Sequence, residues 1–511
     1  MQKIVNFIRN NWLILSILLI ASFLRLYRIS QYMEFLGDQG RDVVIIREFL
    51  KNGNLFFIGP QTSIGNMYLG PWFYYLIAPS LLIANFSPVG PAVFIALLSV
   101  ATVYLIFKFS LVLFKNPLSA YLAAFFYAIS PVVIKYSNFI WNPNVMPFFA
   151  LLLVFSLYLA FFEKRLNYLV LASFSFIMAL NSHYLAFALI PLIALFYLVF
   201  IIINRQDKKT LIKLIKPSLF ALILFLISLT PQILFDIKHQ GQNINALLTF
   251  FTQRETTVSI KPYKAIPLAF PLFDQINTRL IFGKNTQISP WGSVAFGLLL
   301  SFSFFRILAP TIKQKRVIKL SSKFTGYLLL LSWYAIAIIS LGLYKQHVYD
   351  HYFAFVFPAV FILLGISLST IYKYNILGKI IAFFIVISLT YFSFIENPLR
   401  FPPVNQLQTT QTITQSIIDS SNNQDFNIAL LAKQNYDPGY KYFFYQNNSP
   451  IYEIREKLTD QLYVICEPHP DIDCQPINHP EWAIAAFGWA KVETQWEING
   501  IQIYKLVHTQ D

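Results

Sequence analysis

The chain has 511 residues, of which 56% are apolar, 17% aromatic and only 12% charged, with a formal net charge of +15. A soluble domain carries roughly twice that share of charge, so the composition excludes an ordinary water-soluble protein and defines an α-helical polytopic membrane protein. The charge is also split: residues 1–395 hold 32 Lys and Arg against 10 acids, whereas residues 396–511 hold 7 against 14. The two stretches therefore read as a transmembrane domain and a small, water-exposed domain.

Apolar runs near the roughly 20 residues needed for a membrane crossing fall at about 4–24, 88–107, 118–134, 144–162, 167–182, 184–203, 217–235, 291–309, 324–343, 352–371 and 377–395. A shorter run covers 71–86, so about 11–13 transmembrane helices are expected. The first run follows Lys3 and Arg9 and lacks a small-residue cleavage site before Arg25 and Arg28. It reads as an uncleaved anchor with a cytoplasmic N-terminus.

Connections 204–217, with five Lys or Arg, and 306–323, with six, are cytoplasmic by the positive-inside rule. Counting from them places the turns at 135–143, 181–184 and 345–351 and the C-terminal domain on the extracytoplasmic side and Lys108 to Lys115 inside, while the first helix and its N-terminal charges place loop 25–70 outside. One crossing too many then lies between loop 25–70 and Lys108. Because Pro71, Pro79, Pro88 and Pro91 fragment the short run, residues 70–86 are expected to re-enter or lie in the interface, with only 88–107 crossing.

Loop 25–70 concentrates acid: Glu34, Asp38, Asp42 and Glu48 are four of the ten acids of residues 1–395 and surround the hexapeptide GDQGRD at 37–42. Residues 41–51 (RDVVIIREFLK) predict a short helix with Val44, Ile45, Phe49 and Leu50 on an apolar face, as in a segment lying on a membrane surface. Asp38 at its start reads as a helix cap. It also reads as chemistry, because Asp38, Arg41 and Asp42 are spaced i, i+3 and i+4, so that one acid acts as base while the guanidinium meets an anion. A polar segment at 53–70 and the aromatic cluster Trp72, Phe73, Tyr74 and Tyr75 follow, as in a loop folded over a site.

Taken in order, an acid in the first external loop, a short helix and a proline-led segment opening at Pro71 resemble the GT-C glycosyltransferases of the protein mannosyltransferase and lipid A aminoarabinose transferase type. The resemblance continues through Ser130, Pro131 and YSNFIWNP at 136–143, LNSHYLAFALIP at 180–191 and KQHVYDHYFAFVFP at 345–358, and covers about residues 1–395. It implies a GT-C-like fold and an enzyme that transfers a sugar from a polyprenyl-phosphate donor to a protein, lipid or glycan acceptor outside the cytoplasm. By the same resemblance Asp38 is the general base, and Arg41, Asp42, Asn142, His183, Lys345, His347, His351 and Tyr352 contact substrate. Gln39 stands where the mannosyltransferases have a second acid, and Asn142 where an acid often precedes proline. No cofactor is expected; a divalent metal is compatible with the class but is not indicated. The chemistry asks for a base on the acceptor and cations near the departing phosphate, and no Gly-rich phosphate loop or nucleic-acid signal is present.

Segment 236–290 reads either as a cover over the site or as a poorly ordered connection. In the C-terminal domain a strand is expected at 427–432, a helix near 440–445, a strand at 461–466 and a hairpin turning at Asn499 and Gly500. Cys466 and Cys474 are the only cysteines; they fit a disulfide in an oxidising exterior, while their spacing with His469 and Asp473 matches no standard zinc pattern. Other functional classes are a many-helix polysaccharide polymerase or ligase, a secondary transporter, which would need ionisable residues inside its helices and two related halves, and a membrane scaffold.

Overall fold

The computed structural model describes residues 2–62, 67–252, 257–259, 261–284, 287–313 and 322–509. Residues 63–66 of the first loop and 314–321 of the basic connection 306–323 lie outside these. The helices are α1 (Gln2–Leu26), α2 (Ile29–Tyr32), α3 (Gly37–Asn52), α4 (Trp72–Ile83), α5 (Val89–Phe114), α6 (Pro117–Ile129), α7 (Pro131–Lys135), α8 (Met146–Phe161), α9 (Tyr168–Ser182), α10 (Ile190–Ile203), α11 (Lys208–Ser228), α12 (Thr230–Lys238), α13 (Gln242–Thr252), α14 (Ala269–Leu280), α15 (Ser289–Lys313), α16 (Ser322–Gly342), α17 (Phe357–Tyr372) and α18 (Ile376–Ile395). The C-terminal unit adds α19 (Gln406–Ser421), β1 (Asn427–Leu431), α20 (Pro438–Gln446), β2 (Gln461–Cys466), α21 (Trp482–Phe487), β3 (Ala490–Ile498) and β4 (Ile501–His508).

Among the described residues nine helices are long and apolar enough to cross a bilayer, and three shorter apolar helices, α4, α6 and α9, accompany them. The protein is therefore built as a polytopic helical body. α17 lies at its centre, buried almost throughout, whereas α18 leaves Ile380, Phe383, Phe384, Ile387 and Tyr391 exposed. An outward face of that composition is stable only against lipid.

The proline-rich run 70–86 contains one short helix. α4 has 12 residues, about 18 Å of helix against a hydrocarbon core of about 30 Å. At its start Trp72 N meets Asn181 Oδ1 at 3.4 Å, and in the turn beyond its end Phe86 O accepts the Tyr442 hydroxyl of the C-terminal unit. α5, with 26 residues, is long and apolar enough to cross a bilayer, and just beyond its end Asn116 Oδ1 accepts from Lys373 Nζ at 3.0 Å. The run 118–134 is not one helix, because Pro131 drives Ser130 to extended backbone (φ −62, ψ 123) and divides α6 from α7.

Segment 236–290 is largely helical in its described parts, which sequence periodicity did not predict. Asp236 explains α13: its two carboxylate oxygens accept from Asn243 N and Ile244 N at 2.7 and 3.1 Å, capping the helix across a turn made by Gly241 at φ 74. α14 buries Leu272, Ile276 and Leu280, a strict four-residue stripe.

α3 departs from expectation in two ways. It begins at Gly37 rather than Arg41, because the Gln39 side-chain oxygen accepts from Leu36 N at 2.9 Å and closes the first turn. Its buried stripe comprises Val43, Ile46 and Arg47 together with Gln39 and Asp42, while Val44, Ile45, Phe49 and Leu50 are only half-buried. α3 is packed between α4 and α20 rather than lying alone on a membrane surface, so the face that α20 covers decides which side chains are enclosed.

In the C-terminal unit the strand order is β1-β2-β4-β3, with β1 and β2 parallel and the other pairs antiparallel. All six residues of β2 are buried, as expected of a central strand covered on both faces. Tyr463 and Ile465 meet α19 and α20 through Ile413, Ile417 and Phe444, while Leu462 and Val464 meet α21 through Ile484 and Phe487. The expected strands, helix, Asn499–Gly500 turn (φ 51 and 83) and Cys466–Cys474 disulfide are all present. α19 and α21 were not predicted. The Thr-rich α19 has weak helix propensity and shows its nature only through the buried series Leu407, Thr410, Ile413, Thr414, Ile417.

The unit is fastened to the first loop. Tyr442 and Phe443 pack with Phe35 in the main core, Arg47 Nη2 donates to Tyr445 O at 2.7 Å, and Phe35 N donates to Gln406 Oε1 at 3.0 Å.

Candidate active site

The first turn of α3 sets out three charged groups. Arg41 Nη1 meets Asp38 Oδ1 at 3.0 Å, and Arg41 Nε and Nη2 meet Asp42 Oδ1 at 3.0 and 2.8 Å. Tyr74 of α4 donates to the same Asp42 oxygen at 3.0 Å. Asp42 is fully buried, whereas the Asp38 side chain is 37% exposed and that of Arg41 23%. Burial pushes the Asp42 carboxyl above the usual carboxylate range, against the pull of Arg41. Burial also opposes the Arg41 charge, but Asp42, ahead of Asp38, outweighs it and holds the guanidinium protonated beyond its ordinary value. Asp42 thus anchors Arg41 from behind, and Asp38 is left facing outward. It is not a helix cap: its carboxylate turns to Arg41, and Gln39 closes the helix start instead.

Asp38 and Arg41 open onto a cavity of about 660 Å³. Its walls come from residues distant in the chain: Glu34 and Met67 of the first loop, Tyr136 and Trp141, His183 and Tyr184, Leu247 and Phe250 of α13, and Tyr344, Tyr349, His351 and Tyr352. Hydrogen bonds bring these turns together. Asn142 Nδ2 donates to Ser182 O at 2.6 Å, Tyr184 Oη to Tyr68 O at 2.6 Å, and Tyr68 N to Asn243 Oδ1 at 2.7 Å. Opposite the charged turn stands an aromatic wall, in which the His351 ring is 4.5 Å from Trp141 and 4.6 Å from Tyr352, and His183 is 5.1 Å from Tyr352. Such rings present flat apolar faces with polar edges, suited to a sugar.

Of the residues singled out from sequence, Asp38, Arg41, Asn142, His183, His351 and Tyr352 line this cavity. Asp42 lies behind Arg41, and Lys345 and His347 are exposed off the lining, with His347 against Tyr349 at 4.6 Å. His183 is a neutral acceptor rather than a cation: its Nδ1 accepts from Leu185 N at 3.1 Å, and burial, with His351 nearby, lowers its pKa to about 3. Sequence reasoning left Glu34 without a role, although it stood in the acid cluster; it lines the cavity and pairs with Lys135 at 3.2 Å. Among the described residues no three His, Cys, Asp or Glu side chains gather into a metal-binding group.

Helical body and small C-terminal sheet together have the fold of solved GT-C glycosyltransferases. ArnT from Cupriavidus metallidurans bound to undecaprenyl phosphate superposes over 98% of this chain and 98% of its own, with a TM-score of 0.58 at 11% identity. Its apo state gives 97%, 98%, 0.58 and 10%. The archaeal oligosaccharyltransferase AglB from Archaeoglobus fulgidus, in complex with an inhibitory peptide and a dolichol-phosphate, covers 90% of this chain and 70% of its own, with a TM-score of 0.55 at 13% identity. In sequence, the family model described as dolichyl-phosphate-mannose-protein mannosyltransferase matches residues 69–235. No curated protein matches. The resemblance drawn from the sequence motifs therefore holds at the level of family likeness and fold.

Proposed function

We propose that the protein is an integral membrane glycosyltransferase that takes a sugar from a polyprenyl-phosphate donor and passes it to a protein, lipid or glycan acceptor on the extracytoplasmic face. The observation that carries this reading is the placement of Asp38 at the cavity, beside Arg41 and across from the aromatic wall. In the reaction an acceptor X–H donates to the Asp38 carboxylate, X attacks the anomeric carbon, and the bond from that carbon to the phosphate oxygen breaks. The proton passes to Asp38 and the electron pair leaves with the polyprenyl phosphate. Arg41, held by Asp42, faces the charge that develops on the phosphate, and the neutral His183, His351 and Tyr352 orient the sugar. Support for the face comes from the opposite end of the body, where Lys115, Lys164, Arg165, Arg205, Lys208 and Lys373 gather near the connections after α5, α8, α10 and α17.

The test incubates membranes containing the full chain with labelled polyprenyl-phosphate sugars and compares wild type with Asp38→Asn. Transfer is expected to fall by about 10²–10⁴-fold, the range for loss of a general base. Equal transfer by both would refute the assignment of the base, and no transfer from any donor would refute the class of reaction.

A further inference from the structure

The C-terminal unit reaches into the candidate site. Between β1 and α20 the chain carries Asn435 and Tyr436 to the first turn of α3. Asn435 Oδ1 accepts from Gly37 N at 2.8 Å, while its amide donates to Glu467 Oε1 at 2.6 Å, an oxygen that also accepts from Tyr440 Oη at 2.8 Å. Tyr436 Oη donates to Asp38 Oδ1, the same oxygen that meets Arg41 Nη1. Glycine makes this approach possible, since a Cβ at Gly37 would fall 2.4 Å from the Tyr436 ring and one at Gly40 would fall 2.2 Å from Gly439 N. The two glycines of GDQGRD, one helical turn apart, therefore form the seat for residues 435–439.

We infer that Tyr436 is a positioning residue of the transfer reaction: with Arg41 it pins one carboxylate oxygen of Asp38 and leaves the other, Oδ2, to act as the base. The inference rests on the reading of Asp38 given above. Two donors converge on Oδ1, and among the described residues Oδ2 receives none. A carboxylate held by one oxygen through charge-assisted hydrogen bonds cannot turn freely. Asn435, braced by Glu467, and the backbone contact at Gly40 hold the loop that presents Tyr436. The site is thus completed by a side chain nearly 400 positions downstream of its base.

The experiment uses the full chain in detergent or liposomes and the labelled polyprenyl-phosphate sugar that the wild type turns over. It compares Tyr436→Phe, which keeps the ring, with Asp38→Asn and wild type over a range of donor concentrations. Tyr436→Phe is expected to slow transfer about tenfold, the worth of one hydrogen bond to a charged group, with half-saturation by donor and melting temperature unchanged. The loss is expected in the turnover rate alone, because a carboxylate that is no longer pinned still sits beside bound donor but is misaligned with the acceptor. A wild-type rate in Tyr436→Phe, with transfer lost in Asp38→Asn, would overturn the role of Tyr436 and leave the base standing. A slower rate with weakened half-saturation by donor and a lowered melting temperature would mark a merely structural contact and overturn it too. Transfer retained in Asp38→Asn would overturn the reading of the base, and this inference with it.

Discussion

Gly40→Ala is the sharpest probe of how the two parts of the molecule fit. The added Cβ would lie 2.2 Å from Gly439 N and 2.3 Å from its Cα, closer than the 3.0 Å that real Cβ atoms observe. Both obstacles are backbone atoms of Gly439 in the first turn of α20, so no rotamer change relieves the clash and α3 and α20 must separate by about 1 Å. Overpacking of this kind costs about 1–3 kcal/mol. The same shift stretches the 2.7 Å bond from Arg47 to Tyr445 O, a charge-assisted contact worth about 1.5–3 kcal/mol. Docking of α20 on α3 should weaken by about 3–5 kcal/mol, a large part of typical net stability. The assay is limited proteolysis of the purified protein, following cleavage within 433–447, beside a thermal melt and the transfer rate. Gly40→Ala is expected to be cut faster, melt lower and transfer little. Gly53→Ala serves as the control: it strains a left-handed position at φ 73 but meets nothing within 4 Å, so it should cost about 1 kcal/mol and leave the protease pattern alone. A Gly40→Ala protein with wild-type protection and transfer would refute the packing argument.

Three further outcomes follow from the site. Asp42→Asn leaves the buried side of Arg41 without its closest charge; because Arg41 is partly exposed, the cost should be about 2 kcal/mol rather than the 3–5 of a fully buried pair, read as a lower melting temperature together with slower transfer. His183 is neutral in the fold with a pKa near 3 and titrates near 6.5 when unfolded, so the unfolded chain binds the proton first. Through His183 stability should therefore rise with pH between about 3 and 6.5, by at most about 1.4 kcal/mol per unit, and His351, whose pKa burial lowers to about 4, adds to the rise between about 4 and 6.5; melting curves from pH 4.5 to 7.5 check it, and His183→Gln should reduce the slope without abolishing it. Finally, Cys466→Ser opens a disulfide of sequence separation 8, with an expected loss of about 2.5 kcal/mol from the unfolded-state entropy. Because Glu467 follows directly and holds Asn435, transfer should fall along with the melting temperature, and unchanged transfer would show that the brace is dispensable.

Much of the helical body is legible in the sequence because a bilayer demands a long apolar run for every crossing, and prolines show where such a run fails, as at α4. Local chemistry likewise exposes the Asn499–Gly500 hairpin and the strand β2. The buried face of α3 is not legible, since it depends on α20, almost 400 residues away, and no periodicity within residues 41–51 encodes that partner. Gln39 reads as a missing acid beside Asp38, yet its side chain serves the backbone of its own turn. Asp236 hides α13 from pattern reading because its cap acts across a seven-residue gap. Tyr436 sits in a short polar loop with no motif, and only the space left by Gly37 and Gly40 hints that something lies against them.

The distance along the chain between Gly37 and Asn435, 398 residues, has a bearing on how the protein is made. Domains form as they leave the ribosome, N-terminal parts first. GDQGRD reaches the membrane surface early, while the loop that seats against it has not yet been translated. If Tyr436 positions the base, a growing or prematurely terminated chain should transfer more slowly than the full chain, and the full rate is reached only when translation has passed residue 439 and the sheet has folded. The rate then becomes a report on synthesis past residue 439, with a late-made loop tuning an early-made site.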